Sequence, residues 1–491
     1  MCGNAGKDTR MGLIKNYIYS FAQQLLTILL PIITMPYVSR VLGAEGVGLY
    51  AFSYSIVCYF IVAGTLGLRL YGIKAIAVAK DDKRKLTEVF LHVSFLRIVT
   101  FIISGVVFFI MLPVFQTKIP RGILLLQSVN ILVFLIDTAW FFIGIEKIKR
   151  VVLRNIVVRC LSLFLIFLLV RKRGDVNLYI IIITAGNLIG NLSMILALPG
   201  LLDFKKIKMT LENLQFHFLK SMKLFIPQLS MQLHVIVDKT IIGFLSTESQ
   251  VGYYEASYKI VVVITSLITT LGTIIMPRLS YYHAQQDTEK IRLYIKKTFD
   301  FGLYFSIPLV LGLFGISKIF VPVFFGEDFY EAVDILRYLS LICIPVIWRS
   351  IIGLQFLIAV NKEKVVTVAI LSGTLLNIVL NFMLIPEFKA MGAVVATIMS
   401  EVIVSTALII YVRKMLPLKE LFAFLWKYLL SGLFMFLVIL LPGNFLNESV
   451  FSLILLVGVG FLVYPLVLFL IRSETNTFVI KKLAAILVKR R

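Results

Sequence analysis

The 491-residue chain is poor in the residues that usually carry chemistry. Only 15% of it is charged, while 59% is hydrophobic, and a soluble domain cannot hide that much apolar surface. The four cysteines, Cys2, Cys58, Cys160 and Cys343, show no CxxC or other ligand spacing. Neither a disulfide framework nor a zinc site is therefore expected. The histidines, His92, His217, His234 and His283, are equally scattered, so no metal and no cofactor is expected. There is no phosphate-cradling Walker loop, which argues against ATP as the direct energy source. No cluster of His, Asp and Glu falls in a long loop, so the chain is expected not to be an enzyme. Acids are scarce too: 26 Asp and Glu against 49 Lys and Arg give a net charge of +23. In a soluble protein that excess would point to nucleic acid. Here the bases sit in short loops between apolar runs, so no nucleic-acid partner is expected.

The apolar runs dominate the chain. Mean hydropathy is +0.96, and spanning a bilayer takes roughly 20 mostly apolar residues. Fourteen such spans are read, near residues 14–37, 47–69, 89–114, 122–144, 152–170, 178–199, 222–245, 252–276, 299–323, 335–358, 365–386, 390–411, 421–441 and 450–471. The runs are continuous rather than alternating, which excludes barrel strands. The fold class is an all-α polytopic membrane protein of about fourteen transmembrane helices. Residues 1–10 are polar, and the first apolar run is too long for a signal-peptide core. A cleavable signal is not expected, and both Met1 and Met11 stand as candidate starts.

Loop charge alternates along the chain. Lys80, Lys83, Arg84 and Lys85 follow span two, and Lys147, Lys149 and Arg150 follow span four. Lys205, Lys206 and Lys208 follow span six, and Lys290, Arg292, Lys296 and Lys297 follow span eight. The opposite loops are nearly bare, apart from Arg171-Lys172-Arg173. The positive-inside rule then places both termini in the cytoplasm.

An internal repeat divides the chain. Residues 47–54 read VGLYAFSY and residues 251–258 read VGYYEASY, at the starts of spans two and eight. An offset of six spans keeps the membrane orientation, so two six-helix lobes related by a parallel repeat are expected, as in several transporter folds. The expected lobes are 12–200 and 201–412. Two further helices follow in 413–472, then a basic cytoplasmic tail, 473–491.

Ionisable side chains inside spans cost roughly 2.5–3.5 kcal/mol on insertion scales and normally face protein or a watery cavity. The cations are Arg69, Arg97, Arg159, Lys239, Lys259 and Arg349; the acids are Asp137, Asp238, Glu255 and Glu401. Helical spacing aligns polar stripes: Asn16, Ser20, Gln23 and Thr27 in span one, Gln228, Gln232 and Lys239 in span seven, and Glu255, Lys259 and Ser266 in span eight. Asn187 in span six and Asn377 in span eleven add to them. Stripes on so many helices fit a shared polar lumen. The bland readings stay open. Glu255 and Lys259 are placed to pair at i,i+4, Asn and Ser stripes glue helices together, Arg69 is near enough to a span end to snorkel, and Arg349 can pair with Glu401.

The segment 36–50, PYVSRVLGAEGVGLY, is similar to the N-terminal signature of the Wzx-type polysaccharide-unit flippases. These belong to the multidrug/oligosaccharidyl-lipid/polysaccharide exporter superfamily. Asp238-Lys239 with Gly252-Tyr253-Tyr254, then residues 276–280 (MPRLS), and Asn377 to Pro386 with Gly392-Ala393 resemble the family in the same order. The resemblance implies a bacterial inner-membrane flippase working by alternating access around a cationic lumen. Its cargo would be an undecaprenyl-pyrophosphate-linked oligosaccharide, moved outward for capsule, exopolysaccharide or O-antigen assembly. The six cations would attract the pyrophosphate, and Gln23, Thr27, Gln228, Gln232, Asn187 and Asn377 would bond the sugars. One or more of the four acids would carry a coupling proton or Na⁺. Membrane lipid, a polysaccharide polymerase and chain-length proteins are the implied partners. The lipid II flippase relatives carry arginines deep in span one, whereas this chain has only Lys15 at the entrance of that span. No arginine clamp is carried over from there. Two alternatives remain: a multidrug or organic-cation exporter of the same superfamily, and a membrane-embedded polysaccharide polymerase or ligase.

Overall fold

The computed structural model describes residues 5–203, 209–269, 272–443 and 445–488. Side chains are described within these ranges except at 5–28, 227, 230–231, 234, 272–274, 483–484 and 486–488. The expected basic residues 205–208 and 489–491 lie outside the described residues. Within them the protein is all helix with no strand.

The chain forms two compact units, Met1–Gly252 and Tyr253–Arg491. The first holds α1 (Ala5–Thr65), α2 (Leu68–Ala79), α3 (Lys83–Phe115), α4 (Arg121–Leu135), α5 (Ala139–Gly144), α6 (Ile148–Leu169), α7 (Val176–Ile195) and α8 (Leu211–Leu245). The unit boundary falls inside α9 (Glu248–Thr269). The second unit continues with α10 (Gly272–Ala284), α11 (Thr288–Phe325), α12 (Ala332–Ser340), α13 (Cys343–Arg349) and α14 (Glu363–Val412). It ends with α15 (Leu418–Leu421), α16 (Leu425–Gly443), α17 (Val450–Leu470) and α18 (Glu474–Val488). A π-helical stretch, Ser350–Leu357, follows α13.

Eleven helical segments among the described residues are long and apolar enough to cross a membrane. Two are too long for one crossing: Leu29–Ala79 has 51 residues and Glu363–Val412 has 50. At 1.5 Å per residue each is about 75 Å long, more than twice a hydrocarbon core of about 30 Å. Each contains a backbone kink where a loop between two spans is expected. Gly43 lies at φ 69° and ψ 177° in α1, and Lys389 at φ 51° and ψ −132° in α14. Glycine adopts such a conformation freely, and lysine only under strain. The expected seventh span falls in α8, which is 35 residues long but carries Lys220, Lys223, Asp238 and Lys239 and is not among the eleven.

Capping marks the polar helix starts. Asp82 caps α3 by accepting from the amides of Arg84 (3.0 Å) and Lys85 (3.1 Å). Those bonds hold its exposed carboxyl below the usual range. Asp287 caps α11 through the Lys290 amide at 3.0 Å.

Aromatic packing builds the core of each unit. In the first, Trp140, Phe141 and Phe142 of α5 are buried against Phe90 of α3 and Ile76 of α2. In the second, Phe299 and Leu303 of α11 pack with Ile351, Leu408 and Tyr428. The last two long helices, α16 and α17, pack on α11. Tyr464 of α17 donates to the Tyr304 carbonyl at 2.9 Å. The C-terminal segment is also docked. Asn476 of α18 is fully buried, accepts from the Tyr304 hydroxyl at 3.0 Å and donates to the Pro465 carbonyl at 2.9 Å.

The sequence repeat has a structural counterpart. Tyr50 and Tyr54 stack at 6.0 Å with a 2° interplanar angle. Tyr254 and Tyr258, at the same positions of the second copy, stack at 5.9 Å and 11°. The glycines of the motif allow a close backbone approach: a Cβ on Gly48 would strike the Glu248 carbonyl, and one on Gly252 the Ala44 carbonyl.

Candidate functional site

The fourth expected span is not one helix. It breaks after Leu135, and Ile136, Asp137 and Thr138 separate α4 from α5. The sequence there has no glycine or proline, so the break is held by partners from elsewhere. A helix end leaves carbonyls without intrahelical donors, and inside a membrane these must be satisfied by protein. Arg97 of α3 donates through Nη2 to the Phe134 carbonyl at 2.5 Å. Asn191 of α7 donates to the Val133 carbonyl at 2.7 Å. On the other side of the break, Asp137 Oδ1 accepts the Ala139 amide at 3.0 Å and caps α5. Negative carbonyls thus meet a guanidinium, and a carboxylate meets a helix N-terminus, as the helix dipole favours.

Further arginines gather at this point. Arg154 Nη1 of α6 lies 4.0 Å from Asp137 Oδ1 and bonds Asn191 Oδ1. Its Nε and Nη2 reach Asn155 Oδ1 at 3.1 and 2.8 Å. Arg69 is exposed, yet lies within electrostatic reach of both Arg97 and Arg154. Arg159, half-buried, is within reach of Arg154. Two guanidinium groups, Arg97 and Arg154, therefore act on one carboxylate, Asp137, with a third, Arg69, within electrostatic reach of both. Arg97 is 3% exposed, and its Nη1 has no hydrogen-bond partner. A buried charge with a free donor costs several kcal/mol, and an anion with several oxygens would offset that cost.

A polar network adjoins the cluster. Gln127 donates to Ser53 at 3.3 Å, and Asn130 donates to Gln127 Oε1 at 3.0 Å and to Thr184 at 3.3 Å. Ser53 belongs to the first repeat motif. In the second unit Tyr254 and Thr397 hydroxyls lie 3.2 Å apart, Asn377 donates to Thr397 at 3.4 Å, and Asn381 donates to Asn377 at 3.1 Å. Both networks are buried.

The remaining sequence candidates fall elsewhere. Lys259 pairs with Glu255 at 3.0 Å. Arg349 makes a two-point pair with Glu401, Nε to Oε2 at 2.9 Å and Nη2 to Oε1 at 3.2 Å. Arg349 lies at the junction of α13 with the π-helical stretch, so the tenth expected span is irregular as the fourth is. Asp238 is buried and Lys239 half-buried, next to Thr240, whose hydroxyl lies 2.9 Å from that of Ser55. Gln228 is partly buried with Oε1 unpartnered, while Gln232 and Asn187 are exposed. The side chains of Gln23 and Thr27 lie outside the described residues. Among the described residues no group of three His, Cys, Asp or Glu is placed to hold a metal.

Sequence reasoning missed Arg154, Gln127 and Asn130. Gln127, Asn130 and Asp137 lie at i, i+3 and i+10 on one face, which was the available signal. It also treated His92 and His217 as scattered, whereas they stack at 5.3 Å.

The sequence matches the polysaccharide biosynthesis protein family over residues 13–283, more than half of the chain. The chain belongs to that family. This Wzx-type member of the multidrug/oligosaccharidyl-lipid/polysaccharide exporter superfamily also matches the MatE family over residues 224–383. An Escherichia coli K12 protein named "Putative O-antigen transporter" is 27% identical over 409 residues, 82% of this chain and 97% of that one. A Haloferax volcanii protein named "Probable low-salt glycan biosynthesis flippase Agl15" is 28% identical over 164 residues, 33% of this chain and 34% of that one. Among solved structures, the lipid II flippase MurJ in an inward closed conformation aligns with a TM-score of 0.69 at 19% identity. That alignment covers 92% of this Wzx-type chain and 98% of the other. An inward-facing multidrug MATE transporter aligns with a TM-score of 0.62 at 14% identity, over 78% of this chain and 94% of that one. At these identities the structural likeness establishes the fold.

Proposed function

We propose that this protein is a flippase that carries an undecaprenyl-pyrophosphate-linked oligosaccharide across the bacterial inner membrane, for capsule, exopolysaccharide or O-antigen assembly. The observation that carries this reading is the buried Arg97 with an unpartnered Nη1, set among Arg69 and Arg154 at a broken helix. A pyrophosphate carries about two negative charges, and guanidinium groups match its oxygens two at a time. Crossing a low-dielectric region unpaired would be very costly, so a fixed excess of positive charge lowers the barrier. The sugars bond to Asn, Gln and Ser groups such as those around Gln127 and Asn130. The polyprenyl tail stays in membrane lipid.

Transport proceeds by alternating access of two lobes, 12–200 and 201–412, with both termini cytoplasmic. A proton or Na⁺ taken up by Asp137, Asp238, Glu255 or Glu401 supplies the coupling, and a polymerase with chain-length proteins takes the cargo onward. The protein itself makes and breaks no bond of the cargo. An organic-cation exporter would require a site rich in carboxylates, and the cluster has three arginines to one.

The test is flipping of an undecaprenyl-pyrophosphate oligosaccharide in proteoliposomes. Arg97→Ala is expected to lower the rate more than about tenfold, the loss of one charge-assisted contact. Arg97→Lys should recover part of it, because charge survives while the planar fork is lost. Full activity of a monodisperse Arg97→Ala protein would refute the proposal.

A further inference from the structure

A second polar feature lies in the second unit, and none of the residues assigned to the cargo lines it. A cavity of about 640 Å³ opens between α10, α11 and α18. Ile275, Leu293, Phe301, Phe424 and Phe478 wall it. Arg278, Lys296, Lys297 and Glu474 line the same opening. The basic residues belong to the loop region following span eight, on the side the charge pattern assigns to the cytoplasm.

The charges of this opening are not equivalent. Lys296 is engaged by Glu420 at 3.0 Å. Asp300, also at the wall, accepts from the Tyr428 hydroxyl at 2.7 Å and from Thr475. Arg278 is exposed, with its guanidinium 5.9 Å from the Tyr294 ring centre. Lys297 and Glu474 are exposed and form no ion pair among the described residues. The mouth therefore offers Lys297, the exposed Arg278 that Tyr294 orients, and one carboxylate outside any ion pair among the described residues, above a largely aromatic floor. Leu293 and Phe478 are 48% and 57% exposed, so the floor continues onto an apolar surface.

We propose that this cavity binds a zwitterionic membrane phospholipid with a primary amine, phosphatidylethanolamine being the matching chemistry. Its phosphate meets Arg278 and Lys297, its ammonium meets Glu474, and an acyl chain lies against Phe301, Phe424 and Leu293. The size suits such a ligand, since small-molecule sites run to about 300–1,000 Å³. A lipid with a phosphate alone would leave Glu474 facing like charge. The cavity has a fixed wall because α18 is bolted to α11 and α17 through Asp300–Thr475 and through Asn476. The bound lipid then bridges α11 to α18 and holds the C-terminal helix in place.

Native mass spectrometry of the full-length protein, titrated with phosphatidylethanolamine or phosphatidylglycerol of matched chains, tests this. The two lipids share the phosphate and differ in the amine. The wild type should prefer phosphatidylethanolamine by about threefold, the size that one solvent-exposed ion pair supports. Glu474→Gln should abolish the preference while retaining binding of both lipids. Lys297→Ala should weaken both lipids together. Equal affinity for the two lipids in the wild type, or an undiminished preference in Glu474→Gln, would overturn the proposal. Both residues are exposed, so the variants are expected to fold, and neither lipid is the transported cargo.

Discussion

The Arg349–Glu401 pair offers a direct measure of what one buried charge pair is doing. Arg349 is 17% exposed at its side chain and Glu401 3%, and both oxygens of the carboxylate meet the guanidinium. Removing one partner strands the other, at about 3–5 kcal/mol. For a unit of 150–250 residues, each kcal/mol moves the melting temperature by roughly 2–4 °C. Glu401→Leu and Arg349→Met should therefore each lower thermal stability by about 6–20 °C. Removing both at once replaces the pair with apolar side chains of similar volume, and such replacements are often neutral. The double variant should melt within a few degrees of wild type, so that nearly all of the two single losses, about 6–10 kcal/mol together, is coupling between the partners. The assay is thermal unfolding of purified, lipid-supplemented protein, run beside flipping activity. A double variant that melts no higher than the worse single variant would refute the structural-pair reasoning. A double variant that is stable but inactive would assign the pair to transport as well as to folding.

Three further outcomes are expected. His92 is fully buried, neither of its ring nitrogens has a hydrogen-bond partner, and it stacks on His217; His92→Phe keeps the stack, removes the unmet polar groups and should raise stability by about 1 kcal/mol, so a lower melting temperature would contradict this. Lys389 sits at φ 51°; Lys389→Gly should relieve backbone strain of about 1–2 kcal/mol, visible as a rise in melting temperature, and a fall would argue against strain at the kink. Asp137→Asn keeps the acceptor that caps α5 but cannot ionise; normal expression with loss of proton-gradient dependence is expected in proteoliposomes, and unchanged dependence would remove Asp137 from the coupling role.

Much of this architecture was legible because hydropathy reports it directly. The boundaries near residues 38–46 and 386–390 were visible as short polar gaps, and the structure places its two backbone kinks, Gly43 and Lys389, inside them. Local pairs were legible as well: Glu255 and Lys259 are one turn apart, and they meet. Tertiary effects were not. The run 122–144 is long and apolar enough to read as one span despite Gln127, Asn130 and Asp137, and its interruption is held by Arg97 and Asn191 from other helices. Arg154 was overlooked because it follows Lys147, Lys149 and Arg150 and so resembled an interfacial charge. His92 and His217 come from α3 and α8, and no spacing rule brings such positions together. Asn187 fitted the stripe by counting, yet it points out of the buried network that Thr184 and Asn191 join.

The broken fourth span also constrains how the chain enters the membrane during synthesis. Its two helical pieces, α4 of 15 residues and α5 of 6, are each shorter than the hydrocarbon is thick. The Val133 carbonyl, whose donor Asn191 comes from α7, and the carboxylate at Asp137 make its insertion alone unfavourable. Arg97, in the preceding helix, is equally unwelcome in lipid by itself. Only five residues, 116–120, connect α3 to α4, so the helix that supplies the donor is tethered to the helix that needs it. The hairpin of α3 and α4, rather than α4 with α5 alone, is then the unit in which this part of the chain enters lipid most favourably.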